Sequence, residues 1–202
     1  MAPNERFDTS FVIRHSSFRR QAPAFTLMEL LVVIAIIITL AAIVLSTVGY
    51  VQKKGARSRA EAEIAALSAA CESYKADNGI YPTDSNLTEG VDPTMSPVPT
   101  NASQYLYKQL SGDTNATLQV APGTKSYFNF KPQMLGGAKD PNGNLVSVTY
   151  IRDPFGNAYG YSTAKAAHPT NNTGFNPTFD LWSTAGTPSA STSDQAQWIK
   201  NW

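Results

Sequence analysis

Apolar residues are concentrated in one stretch near the N-terminus. From Leu30 to Leu45 the chain reads LLVVIAIIITLAAIVL, and back to Phe25 the stretch contains one charge, Glu29. At about 1.5 Å per residue, a helix over residues 25–45 crosses the roughly 30 Å hydrocarbon core of a bilayer. Four arginines precede the stretch, and positive flanks stay in the cytoplasm. The pattern therefore predicts a membrane-spanning helix with its N-terminus inside.

A second hydrophobic pattern follows the first. Apolar residues recur at spacings of three and four, at Ala60, Ile64, Leu67, Cys71 and Tyr74, with charged residues between them. This periodicity indicates an amphipathic helix with one buried face. The sequence GIYP from residue 79 ends it, because glycine favours the end of a helix and proline cannot continue one. We predict a spanning helix over 25–49 and an amphipathic continuation over 50–78.

Residues 79–202 are rich in Pro, Gly, Asn, Ser and Thr. Four segments are rich in β-branched or aromatic residues and predict strands: 127–130, 145–151, 158–163 and 178–184. The sequence QYLYKQLSG predicts a short helix at 104–112. DPNGN at 140–144 and DPFGN at 153–157 are typical of turns. The predicted fold is α+β, with the second half of a long N-terminal helix packed on a small antiparallel sheet.

Composition excludes several classes of function. The net charge is +1, from 16 basic and 15 acidic residues, so a nucleic-acid partner is not expected. The single Cys71 excludes an intrachain disulfide, and its place on the apolar stripe favours a buried structural thiol. Motifs of hydrolases, zinc proteases and nucleotide-binding enzymes are absent from the sequence, and we expect no enzyme activity.

Glu29 separates this chain from an ordinary signal peptide or membrane anchor. A carboxylate inside a spanning helix costs about 2.5–3.5 kcal/mol on insertion scales, and such residues usually have a functional partner. A plain anchor leaves Glu29 without an explanation.

The segment RRQAPAFTLMELLVVIAIIITLAAIVL resembles the N-terminus of type IV pilins and type II secretion pseudopilins. In that family a prepilin peptidase removes the leader and methylates the new N-terminal residue, and a glutamate at the fifth mature position neutralises the N-terminal amine of a neighbouring subunit. The resemblance implies cleavage between Ala24 and Phe25, loss of leader 1–24, N-methylation of Phe25, and an assembly role for Phe25 and Glu29.

Later motifs extend the resemblance toward the major pseudopilins. DNGIYPT, DPFGNAYGY, FDLWSTAG and DQAQWIKNW occur in the order of that group, so the resemblance covers residues 20–83 and 150–202. The resemblance implies the pilin fold and a structural subunit that polymerises into a periplasmic pseudopilus anchored in the bacterial inner membrane. Its expected partners are other copies of itself, the prepilin peptidase and N-methyltransferase, the inner-membrane assembly platform, minor pseudopilins and membrane lipid. A surface type IV pilin for adhesion, motility or DNA uptake and a non-polymerising membrane-anchored binding domain are the alternatives.

Major pseudopilins commonly hold calcium in the C-terminal loop, and the resemblance implies a related site here. Thr187 stands where the family has its first loop acid, while Asp194 matches the second. Calcium takes six to eight oxygen ligands, so Asp194 alone predicts a weak calcium site. The alternative is a Ser/Thr-rich loop in which Asp194 is the N-cap of the following segment.

The resemblance predicts that the mature chain begins at N-methylated Phe25. Mass spectrometry of the N-terminal peptide from purified membranes should give the methylated FTLMELL sequence. An intact leader, or a cut after Leu45 as in a secreted protein, would contradict this prediction.

Overall fold

The computed structural model describes residues 25–187, 189 and 191–202. The chain forms two compact units, one ending at Thr47 and the other comprising Val48–Trp202. The helices are α1 (Leu27–Asn78), α2 (Thr100–Ser111), α3 (Ala164–Ala167) and α4 (Thr192–Gln195), with a 3-10 turn at Pro132–Met134. The strands are β1 (Leu135–Lys139), β2 (Leu145–Ile151), β3 (Gly160–Ser162), β4 (Asp180–Ser183) and β5 (Ile199–Lys200).

In the first unit, α1 carries exposed apolar side chains. Ile38 is 62% exposed and Leu45 is 74% exposed, and their apolar neighbours are similarly open. By length and composition, α1 is able to cross a membrane. Surface of this kind needs lipid or other subunits to cover it.

In the second unit, one face of α1 forms the centre of the core. Ala60, Ile64, Leu67 and Cys71 are buried, and Tyr74 packs against the same cluster, as the periodicity predicts. The helix ends where expected, because Gly79 adopts a φ of +79° and its N–H donates to the Lys75 carbonyl. The core is completed by α2 and the strands, through Leu106, Leu110, Val148, Ile151, Tyr159, Tyr161 and Leu181.

The strands form two antiparallel sheets. One is the β1–β2 hairpin, and the other has the order β3-β4-β5. Strand β2 coincides with the predicted 145–151, and β3 and β4 lie inside the predicted 158–163 and 178–184. Asp140 closes the first predicted turn by accepting from the N–H groups of Asn142 and Asn144, and Asp153 closes the second in the same way. Antiparallel α+β architecture is therefore confirmed.

One predicted strand is wrong, and two observed strands, β1 and β5, were not predicted. Residues 127–130 form no strand, because the N–H groups of Tyr127 and Phe128 both donate to the Leu110 carbonyl at the end of α2. The aromatic side chains of this segment pack against the core instead. Strand β1 begins LGG, a sequence with little strand preference. Its glycines are required by packing, since a Cβ at Gly137 would lie 1.9 Å from the Ser147 carbonyl oxygen.

Gly160 provides a test of the packing between β3 and β4. A Cβ at this position would lie 2.1 Å from Cε2 of Trp182, whose side chain is fully buried. Gly160→Ala should therefore destabilise the second unit by about 1–3 kcal/mol, the usual cost of overpacking a core. Denaturant unfolding followed by tryptophan fluorescence measures this loss. Gly90→Ala is the control, because a Cβ there meets no atom within 4 Å, and an equal loss in both variants would contradict the packing argument.

Candidate assembly site and C-terminal loop

Glu29 is held at the start of α1 by Thr26. The Glu29 carboxylate oxygen Oε2 accepts from the backbone N–H and the hydroxyl of Thr26, both at 2.9 Å. In return, the Glu29 N–H donates to Oγ1 of Thr26 at 3.2 Å. This reciprocal arrangement is a capping box, which satisfies backbone donors left free at a helix start. The carboxylate is thereby fixed in the first turn, where the helix dipole favours negative charge.

Thr26 is a site residue that the reasoning from sequence missed. The signal was present, because TLME is a Thr-x-x-Glu sequence directly before an apolar run. The apolar run made Glu29 look like a charge within a spanning helix, whereas it is the third residue of that helix. Glu29 therefore has a local structural partner in addition to any partner in a neighbouring subunit.

Phe25 is the other predicted assembly residue, and Ala24 precedes it at the predicted cleavage site. The Phe25 side chain is 79% exposed, so it is open to a neighbouring molecule. Ala24 and the leader lie outside the described residues. Pairing of Glu29 with the Phe25 amine of another subunit is an intermolecular contact, and it stays a prediction.

One of the two interpretations of Asp194 made it the N-cap of the C-terminal segment. This interpretation is wrong. The N-cap of α4 is Ser191, whose hydroxyl oxygen accepts from the Asp194 N–H. Asp194 is the third residue of this short helix, and its Oδ2 accepts from the Ser191 hydroxyl at 2.7 Å. Ser191 is the N-cap because its hydroxyl oxygen reaches the N–H of Asp194, three residues further along the chain.

Several oxygens around the C-terminal loop take part in hydrogen bonds within the protein. The Thr187 hydroxyl donates to the Thr184 carbonyl at 2.8 Å, and the Thr187 carbonyl accepts from Nε1 of Trp198 at 3.0 Å. Arg57 donates to the Gln197 carbonyl at 2.8 Å. Across the described residues, acidic, histidine and cysteine side chains form no group of three or more suited to a metal. Calcium takes six to eight oxygen ligands, so Asp194, the one carboxylate of the loop sequence, predicts at most a weak site, and calcium binding stays a prediction.

Cys71 lies within the core as expected. Its side chain is fully buried, and burial raises the pKa of the thiol, with a smaller contribution from the charge of Glu72. A protonated, inaccessible thiol is a poor nucleophile. The position is structural.

Comparison with curated proteins returns one name, type II secretion system core protein G. The chain is 37% identical to that protein of Pseudomonas aeruginosa over 116 residues, which are 55% of this chain and 82% of the relative. It is 31% identical to the Pectobacterium carotovorum protein over 137 residues, 64% of this chain and 86% of the relative. The Escherichia coli protein is 36% identical over 110 residues, 52% of this chain and 76% of the relative. No family model and no solved structure matches the chain.

The fold and the site define a class of protein. A long apolar helix with one carboxylate in its first turn, whose later residues form the core of a small α+β unit, is typical of membrane-anchored, pilin-like proteins. The chain belongs to the type II secretion system core protein G family, the major pseudopilins.

The loop geometry predicts that chelation has little effect on stability. Adding EDTA to the purified chain should leave its melting temperature unchanged, because hydrogen bonds from Trp198, Thr187 and Arg57 already close the loop. A large fall in melting temperature that calcium restores would show that Asp194 and backbone carbonyls suffice for a site. Trp198→Phe, which removes one donor, should lower stability by about 1 kcal/mol with or without EDTA.

Proposed function

We propose that this chain is the structural subunit of a periplasmic pseudopilus in a type II protein secretion system. The observation that carries the proposal is the similarity to core protein G, which covers 82% of the Pseudomonas aeruginosa relative. The exposed apolar residues of α1 support it, because such a surface is suited to a bilayer before assembly and to neighbouring helices afterwards. The product is a filament, and no catalytic step is required of the chain.

The chain is a membrane-anchored protein, and the proposal gives it an orientation. Arginines precede the apolar stretch, so residues before it stay in the cytoplasm and the unit Val48–Trp202 enters the periplasm. The prepilin peptidase then cleaves between Ala24 and Phe25 and methylates Phe25. Other copies of the chain, the inner-membrane assembly platform, minor pseudopilins and membrane lipid are the proposed partners.

Glu29 and Phe25 set the axial register of neighbouring subunits in this proposal. A carboxylate in an apolar environment is costly unless it is paired and hydrogen-bonded. The Thr26 contacts supply the hydrogen bonds, and the positive amine of a neighbour's Phe25 supplies the opposite charge. Attraction between the two groups strengthens as the local dielectric constant falls, so a filament in which they are out of register is disfavoured.

Two alternatives have separate experimental signatures. A type IV pilin would appear in the fraction sheared from the cell surface, whereas a pseudopilin stays with the cell. A non-polymerising binding domain would give no ladder of oligomers after crosslinking in membranes. The family assignment favours the pseudopilus over both.

Substitution of Glu29 tests the proposal directly. Glu29→Ala should leave insertion, cleavage and folding of the second unit intact and should strongly reduce filament yield, since it strands the amine of a neighbour without its counter-charge. Glu29→Gln should be nearly as damaging, because the amide keeps the shape and loses the charge. Filaments are quantified by electron microscopy after the mature N-terminus has been verified.

Thr39→Ala is the matched control for these variants. Thr39 is a polar residue of the same apolar stretch, and its hydroxyl donates to carbonyls of its own helix, at Ala35 and Ile36. Its loss should leave filament yield unchanged. Normal filaments from correctly cleaved Glu29→Ala protein would refute the pairing role.

A further inference from the structure

A groove in the second unit combines basic and apolar surface. It has a volume of about 500 Å³ and lies between α1 and the C-terminal loop. One wall is a face of α1 that carries Tyr50, Lys53, Lys54 and Arg57, residues spaced by three, one and three along the helix. The opposite wall is formed by Phe155 and the 185–187 turn. The basic side chains of the groove therefore face the apolar ring of Phe155.

The positive charge of this groove is largely uncompensated. Arg57 forms an ion pair with Glu61 at 3.3 Å and also donates to the Gln197 carbonyl. The two ion pairs of the described residues are this one and Lys125–Asp77, so Lys53 and Lys54 belong to neither. Both lysines are exposed, and the lining contains no acidic side chain. The groove is complementary to an anion.

The apolar wall is fixed by the backbone. Gly186 adopts a φ of +80°, and a Cβ there would lie 3.2 Å from the Phe155 ring, so this ring lies directly against the turn. On the other side, Tyr50 is 71% exposed. A ligand for this groove therefore has an anionic group for the lysines and an apolar part for Phe155 and Tyr50.

We propose that this groove binds the phosphate headgroup of an anionic phospholipid. Lysine and arginine are phosphate-binding side chains, and tyrosine and lysine are the residues that occupy the boundary between lipid and water. The basic face follows the apolar stretch in the sequence, with Tyr50 five residues after Leu45. Lipid is therefore favoured over an acidic surface of a second copy. The inference rests on the proposed membrane insertion, and it adds a specific lipid contact to it.

Native mass spectrometry of the full chain tests the proposal. The chain is purified from membranes in mild detergent and titrated with phosphatidylglycerol or phosphatidylcholine. Wild-type protein should retain phosphatidylglycerol preferentially, and Lys53→Gln/Lys54→Gln should weaken this retention by about twenty-five-fold, since each surface base near an anionic lipid contributes about a fivefold gain. The pair Lys131→Gln/Lys139→Gln removes the same charge from exposed positions elsewhere and should bind like wild type.

Three results would overturn the inference. Equal retention by wild type and Lys53→Gln/Lys54→Gln would exclude the groove, and an equal loss in the Lys131→Gln/Lys139→Gln control would indicate an unspecific charge effect. Complete displacement of the lipid by millimolar inorganic phosphate would show that the groove recognises free phosphate alone. Failure of the chain to float with liposomes would instead contradict the proposed membrane insertion, so the two failures are distinguishable.

A photoreactive residue at Tyr50 identifies the occupant in membranes. Tyr50→p-benzoylphenylalanine should give, after irradiation, a chain heavier by the mass of one phospholipid. A covalent dimer as the main product would show that a second copy covers this face, and it would overturn the lipid assignment.

Discussion

The second unit depends on the burial of one face of α1. Its buried positions include small residues, Ala60 and Cys71, and between them larger ones, Ile64 and Leu67. Small side chains let neighbouring elements approach the helix closely, and the larger ones fill the space between them. The buried tyrosines illustrate the result, since Tyr159 reaches Glu63 on α1 at 2.7 Å and Tyr161 reaches the Pro82 carbonyl at the same distance. Without this face the short strands would have little on which to pack.

The first and the last helix of the described chain begin with the same hydrogen-bonded pair, a hydroxyl residue and an acidic residue three positions later. Thr26 and Glu29 close the start of α1, and Ser191 and Asp194 close the start of α4. In each case a hydroxyl and a carboxylate three residues apart satisfy one another. The surroundings differ, because Glu29 belongs to the apolar stretch, where pairing with a neighbour's amine is proposed, whereas Asp194 lies in a Ser/Thr-rich loop, where calcium binding stays a prediction.

The sequence was informative where a pattern had one physical cause. The stripe from Ala60 to Tyr74 and the turns at Asp140 and Asp153 followed from periodicity and from side-chain hydrogen bonds to the backbone. The strand predicted at 127–130 was wrong because aromatic residues are as common in a core as in a strand, and here they pack against the core. Strand β1 was missed because its glycines are selected by close approach to β2, which depends on distant residues. The groove beside Lys53 joins positions more than a hundred residues apart, and no local pattern predicts it.

The capping box between Thr26 and Glu29 also affects how strongly the proposed pairing with a neighbour's Phe25 amine would hold two subunits together. A carboxylate that already accepts two hydrogen bonds from its own chain is partly stabilised before any neighbour arrives. In the proposed pairing, the amine of a neighbour's Phe25 adds its attraction to these existing contacts, and separation of the two subunits leaves the Glu29 carboxylate with hydrogen bonds from its own chain. The net gain per subunit is smaller than the rescue of a bare charge would provide. In the proposed filament, the contact at Glu29 is therefore easier to break than a pairing that rescues a bare charge.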